Sequence, residues 1–131
     1  MECKQIIIIR KDLNMRKGKM IAQGSHAVLA AILKDKIIED NDGKTDSLVI
    51  PLTPPLKAWL LGLFKKIAVS VDSEQELLDI ERKAREAGII TSLIQDAGLT
   101  EFKGIPTYTG AAIGPDTAER LDPITGHLKL L

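Results

Sequence analysis

The apolar residues of this chain fall into short, well-separated runs. Lys4 to Arg10, KQIIIIR, is a β-branched run without alternation. Such a run predicts a strand buried on both faces, at the centre of an α/β sheet. A polar loop follows, and a helix is predicted from about Gly18 to Leu33. Its body is rich in Ala, Gly and Ser, so it can lie close to a sheet or to another helix. Lys34 to Pro55 mixes charges, Asn-Asp-Gly and prolines; it predicts a loop with a short extended piece at Ser47 to Pro51. Pro55 to Leu63 predicts a short helix with proline at its first position, and Lys65 to Val71 a second strand. Ser73 with Glu76 forms a capping box. Leu77, Ile80, Ala84 and Ala87 then make one stripe of a third helix, which Gly88 is suited to end. Ile89 to Gln95 and Thr107 to Ile113 predict two more strands. Asp116 to Leu121 predicts a short helix before the tail.

The order is β-α-(α)-β-α-β-β-α. Strands alternating with helices imply right-handed crossovers and strands running the same way. The link from the third strand to the fourth, about eleven residues long, carries no helix signal and predicts an antiparallel pair there. The expected architecture is an α/β three-layer sandwich, a four-stranded, mostly parallel mixed sheet with helices on both faces. A chain of 131 residues is expected to form a single domain, residues 1–131, with a variable linker at about 34–55.

Charge changes this picture in one respect. The 18 basic and 18 acidic residues balance, which excludes a wholly basic nucleic-acid binder. The first 20 residues nevertheless hold six cations (Lys4, Arg10, Lys11, Arg16, Lys17, Lys19) against two acids (Glu2, Asp12). That is a local excess of +4, and a local basic patch can still meet a polyanion. One cysteine, Cys3, allows no disulfide within the chain and fits a reducing, cytoplasmic setting. The isoleucine run is too short to span a bilayer, and no secretory signal pattern precedes it. Trp59, Phe64, Phe102 and Tyr108 are too few to build a surface of stacked bases. One cysteine and two distant histidines make no metal site.

Four stretches could carry chemistry. Arg16 to Lys19, RKGK, stands at the start of the first helix, where free amides and the dipole attract anions; a solvated basic loop is the plainer reading. Asp96, in DAGLT, lies just past a strand, where α/β sheets bind ligands, and Gly98 permits close backbone approach; an aspartate starting a turn is the alternative. Thr107 and Thr109 alternate on a strand and share a face, as ordinary strand threonines also do. Gln23 and His26 can share one face of the first helix, and His26 reads as a hydrogen-bonded structural or substrate-contacting residue.

Taken in order, KGKMIAQGSHA, SLIQDAGLTEF, AIGP and DPITGHLKLL resemble the type-2 peptidyl-tRNA hydrolases, the archaeal and eukaryotic kind also found in some bacteria. The resemblance covers most of the chain outside Lys34 to Pro55. It implies hydrolysis, without a metal or cofactor, of the ester joining a peptide to the 3′ ribose of tRNA, in a cytoplasmic homodimer. By motif it implies Lys17, Asp96, Thr100 and Thr109 as catalytic residues, with Arg16, Gly18, Lys19, Gln23, His26 and Gly98 contacting substrate. The basic mouth would hold tRNA phosphates. Two stretches depart from the family pattern: Lys34 to Pro55 looks longer than the usual linker, and the loop between Thr100 and Thr109 about one residue longer. A non-catalytic RNA- or protein-binding module of the same fold, or a hydrolase of another acyl ester, are the alternative readings.

Overall fold

The computed structural model describes residues 1–98 and 102–131. The chain runs β1 (Cys3–Arg10), α1 (Lys17–Ile32), β2 (Ile37–Glu39), β3 (Ser47–Val49), α2 (Pro54–Leu60), β4 (Lys66–Val71), α3 (Glu74–Glu86), β5 (Thr91–Asp96), β6 (Thr107–Thr117), α4 (Ala118–Thr125) and β7 (Lys129–Leu130). The isoleucine run of β1 splits between the two faces, as a pleated strand requires. Ile6 and Ile8 join Leu77, Ile80 and Ala84 of α3 and Leu121 of α4 in the main core. Ile7 and Ile9 face the side on which α1 lies. There Ala27 and Ala31 of α1 pack on Ala112 of β6, while Leu56 and Trp59 of α2 pack on Cys3. Helices therefore cover both faces, as expected.

The sheet itself corrects the expectation of four mostly parallel strands. It has five strands in the order β5-β6-β1-β4-β7. Only β1 and β4 are parallel neighbours; β1 with β6, β5 with β6, and β4 with β7 are antiparallel. The crossover argument does hold for direction, because β1, β4 and β5 all run the same way. It does not determine which strands are neighbours. β6 inserts between β5 and β1 and separates strands that point alike. The fifth strand is Lys129–Leu130 of the tail, only two residues long, too short for a strand pattern to announce it.

The linker is also more ordered than a loop. Ile37 and Ile38 pair with Val49 and Leu48 in a separate two-stranded hairpin, reversed where Asp42 and Gly43 both adopt positive φ. Half of the capping box at α3 is as expected: Ser73 Oγ accepts from the Glu76 amide at 3.1 Å, but the Glu76 carboxylate reaches one residue further back and accepts from the Asp72 amide at 3.2 Å instead of that of the N-cap Ser73.

Candidate active site

Asp96 is the last residue of β5 and pairs with Thr107 of β6. Between Ile94 and Gln95 the register slips: Ile94 faces Gly110 while Gln95 faces Tyr108. Thr109 is therefore the extra residue of a β-bulge. Bulges re-aim side chains, and this one has a specific result. Strict alternation from Ala111 and Ile113, both in the core under α3, would send Thr109 to that side too. The bulge instead turns it toward α1, where its hydroxyl donates to Gln23 Oε1 at 2.7 Å, fully buried.

The small residues of α1 let it sit low on the sheet. A Cβ at Gly24 would stand 3.3 Å from Ile7 Cγ2, so a larger residue would lift the helix. Ser92 Oγ donates to the Ala27 carbonyl at 2.7 Å, tying the same helix to β5. This close seating brings Lys19, in the first turn of α1, against the end of β5. Its ammonium lies 2.7 Å from Asp96 Oδ2, with the two side chains only 16% and 14% exposed. The other Asp96 oxygen, Oδ1, accepts from the Gly98 amide at 2.8 Å. Gly98 takes φ +83° with its Cα against the Ile105 backbone, so any side chain there would be strained and would clash.

These contacts hold the Asp96 carboxyl below its usual pKa. The Lys19 hydrogen bond is the largest cause and the Gly98 amide the next; burial pulls the other way, and the charges of Lys19 and His26 lower it further. A carboxylate with two donors and a neighbouring cation stays ionised. Each of its oxygens also keeps lone-pair capacity for a further donor such as water. Arg16, the N-cap residue of α1, offers no acceptor to the first-turn amides, and no acid occupies that turn. This helix start can meet an anion.

The structure thus brings together Lys19, Asp96, Gly98, Gln23 and Thr109, with exposed His26 on α1 close enough to influence Asp96. Arg16 and Gly18 are exposed at the helix start. Thr100 lies outside the described residues. Lys17, matched by motif to the catalytic lysine, is two residues and about 200° of helix from Lys19. It lines an apolar groove of about 550 Å³ on the opposite side of α1, formed with Ile7, Ile9, Met20, Ile21, Val28 and Ala68. Helical periodicity could have separated the two lysines: Lys19 and Gln23 are four apart and share a face, which Lys17 does not. One neighbour of the site was not singled out by sequence. The Phe102 ring centroid lies 6.0 Å from the Lys19 ammonium. Among the described residues, no cluster of His, Cys, Asp and Glu could hold a metal ion, and no helix is long and apolar enough to cross a membrane.

Residues 3–131 match the family model described as peptidyl-tRNA hydrolase PTH2. The chain is 45% identical over 128 residues to a peptidyl-tRNA hydrolase of Methanocaldococcus jannaschii, covering 98% of this chain and 99% of that one. It is 42% identical over 128 residues to one of Methanothermobacter thermautotrophicus, with the same coverage. A solved structure of a protein of unknown function from Agrobacterium has the same fold, with a TM-score of 0.60 at 16% identity, covering 100% of this chain and 98% of that one.

Proposed function

The chain belongs to the peptidyl-tRNA hydrolase PTH2 family and hydrolyses peptidyl-tRNA, and from that premise we propose that the ester is cleaved at the Lys19–Asp96 pair. The observation that carries this reading is the pair itself: an ammonium and a carboxylate, 2.7 Å apart and mostly shielded, at the carboxyl end of a strand beside an uncapped, basic helix start. Water attacks the carbonyl carbon of the ester, and the carbonyl electrons move onto its oxygen. The intermediate then expels the ribose 3′ oxygen, which takes up one proton of the attacking water, while the other is released to solvent. The products are a free peptide carboxylate and a tRNA with its 3′ hydroxyl restored.

Asp96 orients the water by accepting one of its hydrogens. Lys19 stabilises the oxyanion, where a fixed charge in a shielded site counts most. Thr109 is fully buried and acts through Gln23, so it is a positioning residue. Thr100 keeps the role that the motif gives it. Arg16, Lys17 and the amides around Gly18 contact tRNA phosphates, which add affinity without reading sequence and suit an enzyme that accepts many tRNAs. A cytoplasmic setting belongs to this reading, since peptidyl-tRNA is made there. The test is hydrolysis of N-acetyl-aminoacyl-tRNA at two or more salt concentrations. With three phosphate contacts, log(kcat/KM) at low substrate should fall against log[salt] with a slope of about −2 to −3. A slope near zero would remove the basic helix start from the interface.

The homodimer belongs to this reading too. Between Lys19 and Lys34, α1 carries no charged residue except the titratable His26. Its outward positions include Ile21, Ala22, Ser25, Leu29 and Ala30, with Ile21 70% and Leu29 57% exposed. A surface helix normally turns a charged or polar face to water. This helix has the outer face of a buried one, and the apolar groove lies directly beside it. A ridge and a groove on one face are self-complementary under a two-fold axis, each copy seating α1 in the groove of the other. Zero net charge leaves no overall repulsion between copies. Ile21→Asp should convert a dimer into a monomer of unchanged circular dichroism in sedimentation equilibrium, whereas Ile38→Asp on the β2–β3 hairpin should not. A dimer that survives Ile21→Asp would use another surface.

A further inference from the structure

Among the described residues, apolar packing does not account for Phe102. It belongs to none of the three apolar clusters of the fold. It is half-buried, and the one ring contact described for it is the Lys19 ammonium, 6.0 Å from the ring centroid. Its position is nevertheless held. The Gly104 amide donates to the Gly98 carbonyl at 2.7 Å and the Ile105 amide to the Phe102 carbonyl at 2.9 Å. The Gly98 amide in turn is bonded to Asp96. Residues 102–105 are thus tied back to Gly98, and an aromatic ring stands beside the cation that pairs with Asp96.

We infer that Phe102 is the platform on which the 3′-terminal adenine of the tRNA stacks, fixing the ribose ester against Lys19 and Asp96. This rests on the reading that the Lys19–Asp96 pair is the reaction centre. Two substrate groups come within a few ångströms of the scissile bond: the adenine and the side chain of the esterified residue. The side chain differs from one peptide to the next, whereas every tRNA ends in the same adenosine. A single fixed ring gives uniform affinity only if it meets the constant group. Unpaired terminal bases bind proteins by stacking on aromatic rings, and one ring suffices for one base. Four aromatic residues are too few for a surface that binds a run of bases, but one ring is enough for a single terminal base. The cation over the ring also suits the phosphate or oxyanion that accompanies the base.

The experiment is a double substitution across this contact. N-acetylalanyl-tRNA is prepared with its normal terminal adenosine and with a terminal ribose lacking the base; alanine keeps the acyl side chain minimal. Wild type, Phe102→Ala, Phe102→Trp and Asp96→Asn are compared by kcat/KM. Phe102→Ala should lose roughly 5- to 150-fold on the normal tRNA, the range expected for one stacked base. Wild type should lose about as much when the base is removed, and the two losses together should not exceed either alone. Phe102→Trp should restore the rate on the normal tRNA, and its fluorescence should be quenched by adenosine monophosphate. Equal losses for Phe102→Ala on both tRNAs would overturn the inference, since the ring would then act through Lys19. A loss that appears only when the acyl residue is changed from alanine to phenylalanine would overturn it as well, in favour of the peptide. Asp96→Asn separates the two proposals: if it keeps full turnover on both tRNAs, the reaction centre itself is misplaced.

Discussion

Asp96→Asn should lower kcat on peptidyl-tRNA by about two orders of magnitude, the cost of misplacing a reacting group by about an ångström, while changing substrate affinity little. The asparagine keeps the size of the side chain and one acceptor oxygen. It loses the charge and one of the two oxygens that hold Lys19, Gly98 and water together. The direction of the Asp96 pKa shift makes the expectation more specific. A carboxylate held below 3.8 by Lys19 and Gly98 has little affinity for a proton near neutral pH. It is a weak base and a strong hydrogen-bond acceptor. Its larger contribution is to orient the water and to fix the ammonium. The acid limb of kcat/KM, which reports the free enzyme, should therefore lie below the ordinary aspartate range, and activity at pH 5 should not fall through this group. For stability the sign is the same: a depressed carboxyl stabilises the fold above its unfolded pKa, and this is lost as pH falls through the folded one. Turnover within a few-fold of wild type, in a variant with native circular dichroism, would take Asp96 out of the chemistry.

The sequence made much of this site legible, because the relevant signals are local. The β-branched run of β1, the Ser73–Glu76 box and the small-residue body of α1 each depend on neighbours a few positions away. The residues at the start of α1 and the end of β5 could be named for the same reason: ends of elements carry unsatisfied amides and turns. What could not be read depends on how distant segments meet. The placement of β6 between β5 and β1 follows no rule about crossovers. The bulge at Thr109 exists only in the pairing of two strands, yet it decides which face that threonine serves. That Lys17 and Lys19 point different ways was within reach of helical geometry, since Gln23 shares its face with Lys19. Motif matching compares positions along the chain, and two lysines separated by one glycine are nearly equivalent to it. On a helix they are almost opposite.

That difference gives the second large expectation. Lys19→Ala should reduce kcat by about 10²- to 10³-fold, the cost of removing one donor to an oxyanion. It should also move the acid limb of kcat/KM upward. The Lys19 hydrogen bond is the largest cause of the Asp96 shift, and burial, which raises the pKa, remains when the lysine is gone. Asp96 then becomes easier to protonate, so activity begins to fall at a higher pH than in wild type. Lys17→Ala should behave differently, because Lys17 lies across the helix on the rim of the apolar groove. Its expected loss is in KM, with kcat nearly unchanged, and the salt slope should shrink by about 0.7 to 0.9, the value of one phosphate contact. The two variants remove the same charge from positions two residues apart, so any difference between them reports direction rather than charge. If Lys17→Ala lowered kcat and moved the acid limb while Lys19→Ala changed only KM, the pairing seen in the free protein would not be the arrangement that cleaves the ester.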